Sequence, residues 1–187
     1  LFKYYEIQPT LITGWNIDFF DIPYLYNRMV QILGEKQART LSPINDVIWL
    51  KHRNRYRISG VSCLDYMALY KNFTYSQESS YSLEAISQKE LGKGKMKYEG
   101  TLDDLMKNDI QGYIDYNMND VDLVYEIDQK MKLMDLARGI CHKGHVPYED
   151  FLFPTRYLDG AALTYMKRLG IVAPNKPKHD EIKHVDL

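Results

Sequence analysis

Thr10-Leu-Ile-Thr-Gly-Trp15-Asn-Ile-Asp-Phe-Phe-Asp21-Ile-Pro-Tyr-Leu25 decides the fold class. Residues 10–15 form a short apolar run ahead of polar positions, which reads as a buried strand. From Asp21 the spacing becomes helical. Ile22, Leu25, Tyr26, Met29 and Leu33 fall on one face, Pro23 sits in the first turn, and Gly34 is a stop. A strand running straight into an amphipathic helix is the unit of an α/β domain.

Further along, residues 47–58 alternate. Trp49, Lys51, Arg53, Arg55 and Arg57 take one side, which predicts a strand or irregular hairpin with a strongly basic face. Gly60-Val-Ser-Cys-Leu-Asp65 reads as another buried strand. A helix is expected from Ser82, broken by Gly92-Lys-Gly-Lys95, and a short one over 101–108 with Thr101 as its N-cap. The longest helical pattern covers 110–138, with Ile114, Val121, Val124, Ile127, Met131 and Met134 on its core stripe and Gly139 as its end. Residues 140–156 read as loop-rich, and 159–169 as a last helix stopped by Gly170.

Composition narrows the function classes. The chain has 187 residues, 45% hydrophobic and 26% charged, which excludes disorder, collagen and a disulfide scaffold. No run approaches the roughly 20 apolar residues of a membrane span. Cys63 and Cys141 are far apart in sequence, which suggests a reducing compartment. With 24 basic and 25 acidic residues, a polyanion would have to be held by local patches. The 16 tyrosines suit base stacking and an ordinary core alike. Both ends read as cut from a longer protein.

Two aspartates stand out. Asp21 opens a helix, where an N-cap is the ordinary role. Asp120 lies inside the long helix on a face with Tyr113, Tyr116 and Leu123, where a carboxylate is costly unless compensated; a solvated flank is the ordinary alternative. Together with Tyr116 they suggest a metal site. Phosphodiester hydrolysis uses Mg²⁺ or Mn²⁺ held by carboxylates from separate elements, and a tyrosine one turn away can orient the attacking water.

These motifs carry a resemblance. Thr13-Gly-Trp-Asn-Ile-Asp-Phe-Phe-Asp-Ile-Pro-Tyr-Leu25 is similar to the second motif of the 3′–5′ exonuclease domain of family B DNA polymerases. Tyr113-Ile-Asp-Tyr-Asn-Met-Asn-Asp120 is similar to the third. The stretches Leu41-Ser-Pro43, Gly60-Val-Ser-Cys-Leu-Asp-Tyr66, Tyr81-Ser-Leu-Glu84 and Gly94-Lys-Met-Lys-Tyr-Glu-Gly100 resemble the polymerases of tailed bacteriophages. So does Phe153-Pro-Thr-Arg-Tyr-Leu-Asp-Gly160, towards the polymerase palm.

The resemblance implies a ribonuclease H-like (DnaQ-like) α/β exonuclease fold, incomplete at its N-terminus. It implies a partial exonuclease domain over 1–138, a helical connector over 139–173, and the start of the palm region or a tail over 174–187. Asp21 would bind the second of two Mg²⁺ or Mn²⁺ ions and Asp120 the first. Tyr116 would position the water, and Asn16 would lie beside the frayed primer end. The family's first motif, an aspartate and a glutamate one residue apart on an upstream strand, has no counterpart before Asp21. The expected activity is proofreading hydrolysis of DNA 3′ ends within a DNA-directed DNA polymerase, with little activity in this excerpt alone. Implied partners are the single-stranded primer 3′ end, the rest of the polymerase chain and a sliding clamp, with no membrane and in the host cytoplasm.

Lys51, Arg53, Arg55 and Arg57 would contact DNA phosphates, in a region resembling the hairpin that moves the primer terminus; a solvated strand edge explains them equally well. Cys141-His142-Lys-Gly-His145 lacks the ligand number of a zinc site. Gly92-Lys-Gly-Lys95 lacks the ending of a phosphate loop and reads as a solvated loop. The rival to an enzyme is a non-catalytic nucleic-acid-binding or scaffolding domain of the same fold.

Overall fold

The structure, a computed structural model, describes residues 2–175. In chain order come α1 (Phe2–Ile7), β1 (Leu11–Gly14), α2 (Asp21–Leu33) and α3 (Glu35–Ala38). Then follow β2 (Val47–Leu50), β3 (Arg55–Ile58), β4 (Ser62–Asp65), α4 (Tyr66–Phe73) and α5 (Leu83–Leu91). The remainder is helical: α6 (Leu102–Asn108), α7 (Ile110–Met131), α8 (Leu133–Gly144) and α9 (Pro154–Arg168). The expected strands at 10–15 and 60–65 are both present, and they pair in parallel from Leu11↔Ser62 to Gly14↔Asp65. That register sets Asp65 beside the point where β1 turns towards α2.

Alternation along β4 divides the interior in two. Leu64 joins Tyr66, Leu69, Ile86, Leu123, Ile127 and Cys141 in a core beneath α4, α5, α7 and α8. Cys63 points the other way, into a second core with Ile22, Tyr26, Met29, Val47 and Ile58. The strand pair therefore carries α2 and the β2–β3 hairpin on one face and the helical layer on the other. Trp15 closes the end of the first core, its indole N–H donating to the Tyr81 carbonyl at 3.0 Å.

Several expectations change. The pattern over 110–138 is two helices, because Lys132 adopts a left-handed conformation (φ 57°) and its N–H closes back on the Asp128 carbonyl. Gly139 does not end a helix; it lies within α8, which runs on to Gly144. A 3₁₀ turn follows at Tyr148–Leu152, and α9 starts at Pro154, five residues earlier than the expected start at Asp159. On α7, Leu123, Val124 and Ile127 are buried, but Ile114 and Val121 are exposed. One face of α7 from Tyr113 to Asp128 borders a cleft, and Val121 lies on it rather than in the core.

Position 138 falls inside α8, whose Ala137 and Cys141 sit in the same core as Leu64. α9 buries no residue and crosses α8 where Gly144 and Gly160 meet; a Cβ on Gly160 would overlap the Gly144 carbonyl. Of the stretch expected to lead on over 174–187, residues 176–187 lie outside the described residues.

Candidate active site

A cleft of about 1460 Å³ opens between β1, the start of α2 and α7. Asn16, Asp21, Tyr116 and Asp120 all line it, so residues far apart in sequence share one wall-to-wall space. Asn16 adopts a left-handed turn (φ 61°), which asparagine tolerates better than most residues. Its carbonyl accepts the Phe20 N–H at 3.2 Å, and this turn swings the chain from β1 into α2. Asp21 is the first residue of α2. The N-cap position falls to Phe20, so Asp21 stands one residue inside the helix and is not its N-cap. Partial burial pushes its carboxyl above the usual range, its own backbone hydrogen bond pulls the other way, and the nearby Asp65 charge adds to the rise.

Asp120 is compensated by a lysine. Lys95 Nζ lies 2.7 Å from Asp120 Oδ2 and 3.3 Å from the Tyr116 hydroxyl, with the Tyr116 ring 5.4 Å below the ammonium. Tyr98 packs edge-on against the same ring at 5.1 Å. Burial alone would lower the Lys95 pKa, but the hydrogen bonds to Asp120 and Tyr116 outweigh it and hold the pKa above its ordinary value. Among the described residues, Asp120 Oδ1 is buried with no hydrogen-bond partner. Buried polar atoms are ordinarily paired, so this oxygen is an exception within the cleft.

The loop carrying Lys95 was expected to be merely solvated, so Lys95 is a site residue that sequence reasoning missed. The lysine needs its partner on α7, and no local pattern announces a pairing across that distance. Asp65 was also missed. It is buried, and it accepts N–H groups from Asn16 (3.1 Å), Asp18 (3.3 Å), Met67 (2.9 Å) and Ala68 (3.3 Å). One carboxylate thus caps α4 and ties down the turn leading to Asp21.

The basic segment is a hairpin, and its charges do not share one face. Ile48 pairs with Arg57, Trp49 with Tyr56 and Leu50 with Arg55, while Lys51 and Arg53 lie in the turn. The antiparallel fold-back places Trp49 on the face opposite Arg55 and Arg57. Arg55 is ion-paired with buried Asp18, Arg57 lies 3.9 Å from Asp46, and Arg53 stacks 4.5 Å from the Phe153 ring centre. Arg53, Arg55 and Arg57 line a separate cavity of about 290 Å³ with Glu149, Asp150 and Arg156. The structure therefore does not bring Lys51, Arg53, Arg55 or Arg57 into the cleft with Asp21 and Asp120.

Among the described residues, no three histidine, cysteine or acidic side chains converge to hold a metal ion. Asp21 and Asp120 both line the cleft, but they are not part of such a group. Among those residues, too, no helix is long and apolar enough to cross a membrane.

Residues 2–86 match the family described as DNA polymerase family B, exonuclease domain. The chain is 36% identical over 178 residues to the DNA-directed DNA polymerase of Enterobacteria phage T4, and 36% over 177 residues to that of Escherichia phage RB69. These alignments take in 92% and 91% of this chain and 20% of each polymerase. It is also 27% identical over 182 residues to DNA polymerase II of Escherichia coli K12, covering 90% of this chain and 22% of that protein. The chain thus spans about a fifth of the length of the relatives it matches. Mixed α/β elements and these matches together define an exonuclease domain. Residues 2–86 belong to the exonuclease domain of family B DNA polymerases, and the chain as a whole is similar to the DNA-directed DNA polymerases of two bacteriophages.

Proposed function

We propose that this chain is part of a DNA-directed DNA polymerase and carries a share of its 3′–5′ proofreading site. The observation that carries the reading is that Asp21, Tyr116 and Asp120 all line one cleft. The parallel β1–β4 pair with helices on both faces agrees with a ribonuclease H-like arrangement. Residues 1–138 would then belong to the exonuclease domain, and 139–173 would form the connector towards the polymerase domain. The protein would work in the host cytoplasm beside a sliding clamp.

The reaction is hydrolysis of the last phosphodiester at a DNA 3′ end. A water oxygen bonds to phosphorus, the P–O3′ bond breaks, and the leaving 3′ oxygen takes up a proton. Asp21 and Asp120 would hold the divalent cations, Mg²⁺ or Mn²⁺; the unpartnered Asp120 Oδ1 is the atom that fits this role. When bound, such ions make water nucleophilic near neutral pH and offset the charge on the leaving oxygen.

The remaining work falls to the chain. The Tyr116 hydroxyl, one turn before Asp120, orients the water. The Lys95 ammonium, between Tyr116 and Asp120, supplies positive charge where a phosphate would enter. Asn16 lines the approach of the primer end. Exposed Phe20 and Tyr24 stack on each other (ring centres 6.5 Å apart) at its edge and offer a surface to unstacked bases.

The test is single-turnover excision of a labelled single-stranded 3′ end by the full-length polymerase, with primer extension measured on the same preparations. Asp120→Ala should slow excision by several orders of magnitude and leave extension nearly unchanged. Tyr116→Phe should cost about 10²-fold or less, because only water orientation suffers. Excision at the unsubstituted rate in Asp120→Ala would overturn the reading in favour of a non-catalytic domain.

A further inference from the structure

Lys95 reaches Asp120 from a loop that its own sequence would leave loose. Gly92 ends α5 in a left-handed conformation (φ 72°), and no regular element follows until α6. A lysine at the tip of such a loop has many rotamers and a mobile backbone beneath it. Yet its ammonium meets both Asp120 and Tyr116. Something must fix the backbone.

The fixing group is Glu84. It sits in the first turn of α5, behind the Ser82 cap, and lines the same cleft as Asp120. Its Oε2 accepts the backbone N–H of Lys95. Gly94 makes the approach possible, because a Cβ there would collide with both carboxylate oxygens of Glu84. We propose that Glu84 is a positioning residue of the exonuclease site: its carboxylate clamps the Lys95 backbone over glycine at 94 and so aims the Lys95 ammonium between Asp120 and Tyr116. The proposal rests on the exonuclease reading of the cleft.

The competing account is that Glu84 merely favours the N-terminus of α5, as acidic residues in a first turn do. That role is structural and would not act through Lys95. The two separate in a double-mutant cycle.

In the full-length polymerase, single-turnover excision would be measured for Glu84→Ala, Glu84→Gln, Gly94→Ala, Lys95→Ala and the Glu84→Ala/Lys95→Ala double variant, with amide hydrogen exchange of the 92–96 segment followed in parallel. Misplacement of a catalytic group by about 1 Å costs on the order of 10²-fold, so Glu84→Ala and Gly94→Ala should each slow excision by about 10- to 100-fold. Glu84→Gln keeps an acceptor oxygen and should stay within a few-fold of the unsubstituted enzyme. Exchange at Lys95 should speed up in Glu84→Ala, and that substitution should cost nothing further once Lys95 is alanine.

Unchanged Lys95 exchange, an unsubstituted rate in Glu84→Ala or in Lys95→Ala, or an equal Glu84→Ala loss with and without Lys95 would each overturn the proposal. An unsubstituted polymerase that trims no 3′ end would instead overturn the exonuclease reading, and the proposal with it, even if the exchange change were seen.

Discussion

Removing the Asp65 carboxylate should loosen the turn that carries Asp21 and leave the cores intact. Its two oxygens accept four backbone N–H groups at 2.9–3.3 Å, two in the turn at Asn16 and Asp18 and two in the first turn of α4. Loss of the helix cap costs about 1 kcal/mol. Asp18 is buried, so its orphaned N–H adds about 1–3 kcal/mol; Asn16 is half-buried and adds less. Asp65→Ala should therefore cost about 2–4 kcal/mol locally. At about 1.4 kcal/mol per tenfold, amide exchange over residues 14–20 should accelerate roughly 30- to 1000-fold. Asp65→Asn keeps one acceptor but turns an NH₂ towards an N–H, and should fall between. Hydrogen exchange with mass spectrometry on the full-length polymerase reads this directly. Unchanged protection across residues 14–20 in Asp65→Ala would refute the reasoning.

Two further expectations concern stability. Gly160→Ala should destabilise the α8–α9 crossing by about 1–3 kcal/mol, since the added methyl overlaps the Gly144 carbonyl; unaltered urea unfolding would contradict it. Glu90 accepts from the Tyr70 hydroxyl at 2.8 Å and from Lys130 at 3.0 Å, and these bonds outweigh burial and hold its carboxyl below the ordinary 4.5. A carboxylate lowered in the fold contributes stability that is full above that value and is lost as pH falls below it. Glu90→Gln should thus lower stability by about 1–2 kcal/mol at neutral pH, with the gap from the unsubstituted protein closing below about pH 4. A gap that stays constant down to pH 3 would be the wrong result.

Local chemistry made much of the fold legible. The two strands, the start of α2 at Asp21, the helix beginning near Ser82, the Thr101 cap and the stops at Gly34 and Gly92 all follow from short-range rules, and the structure has each. What failed was apolar spacing read as burial. Ile114 and Val121 keep helical spacing but are exposed, Val121 on the wall of the cleft. The α7–α8 break was hidden as well, since Lys132 is an unusual residue to take a left-handed turn. Alternation misled in the basic segment, where a four-residue turn splits the charges and buried Asp18 captures Arg55. In the cleft, Asp21, Tyr116 and Asp120 carried a pattern in sequence, whereas Lys95, Glu84 and Asp65 act through partners far along the chain.

The central claim is that Asp21 and Asp120, delivered by separate elements, serve one site. Single-turnover 3′ excision by the full-length polymerase bearing Asp21→Ala, Asp120→Ala and both together tests it most directly. Groups that act as a unit give non-additive losses, so each single change should remove most of the excision rate and the double variant should be little slower than the slower single one. Primer extension should remain near the unsubstituted rate in all three. Excision at the unsubstituted rate in Asp21→Ala, or losses that multiply in the double variant, would contradict the account.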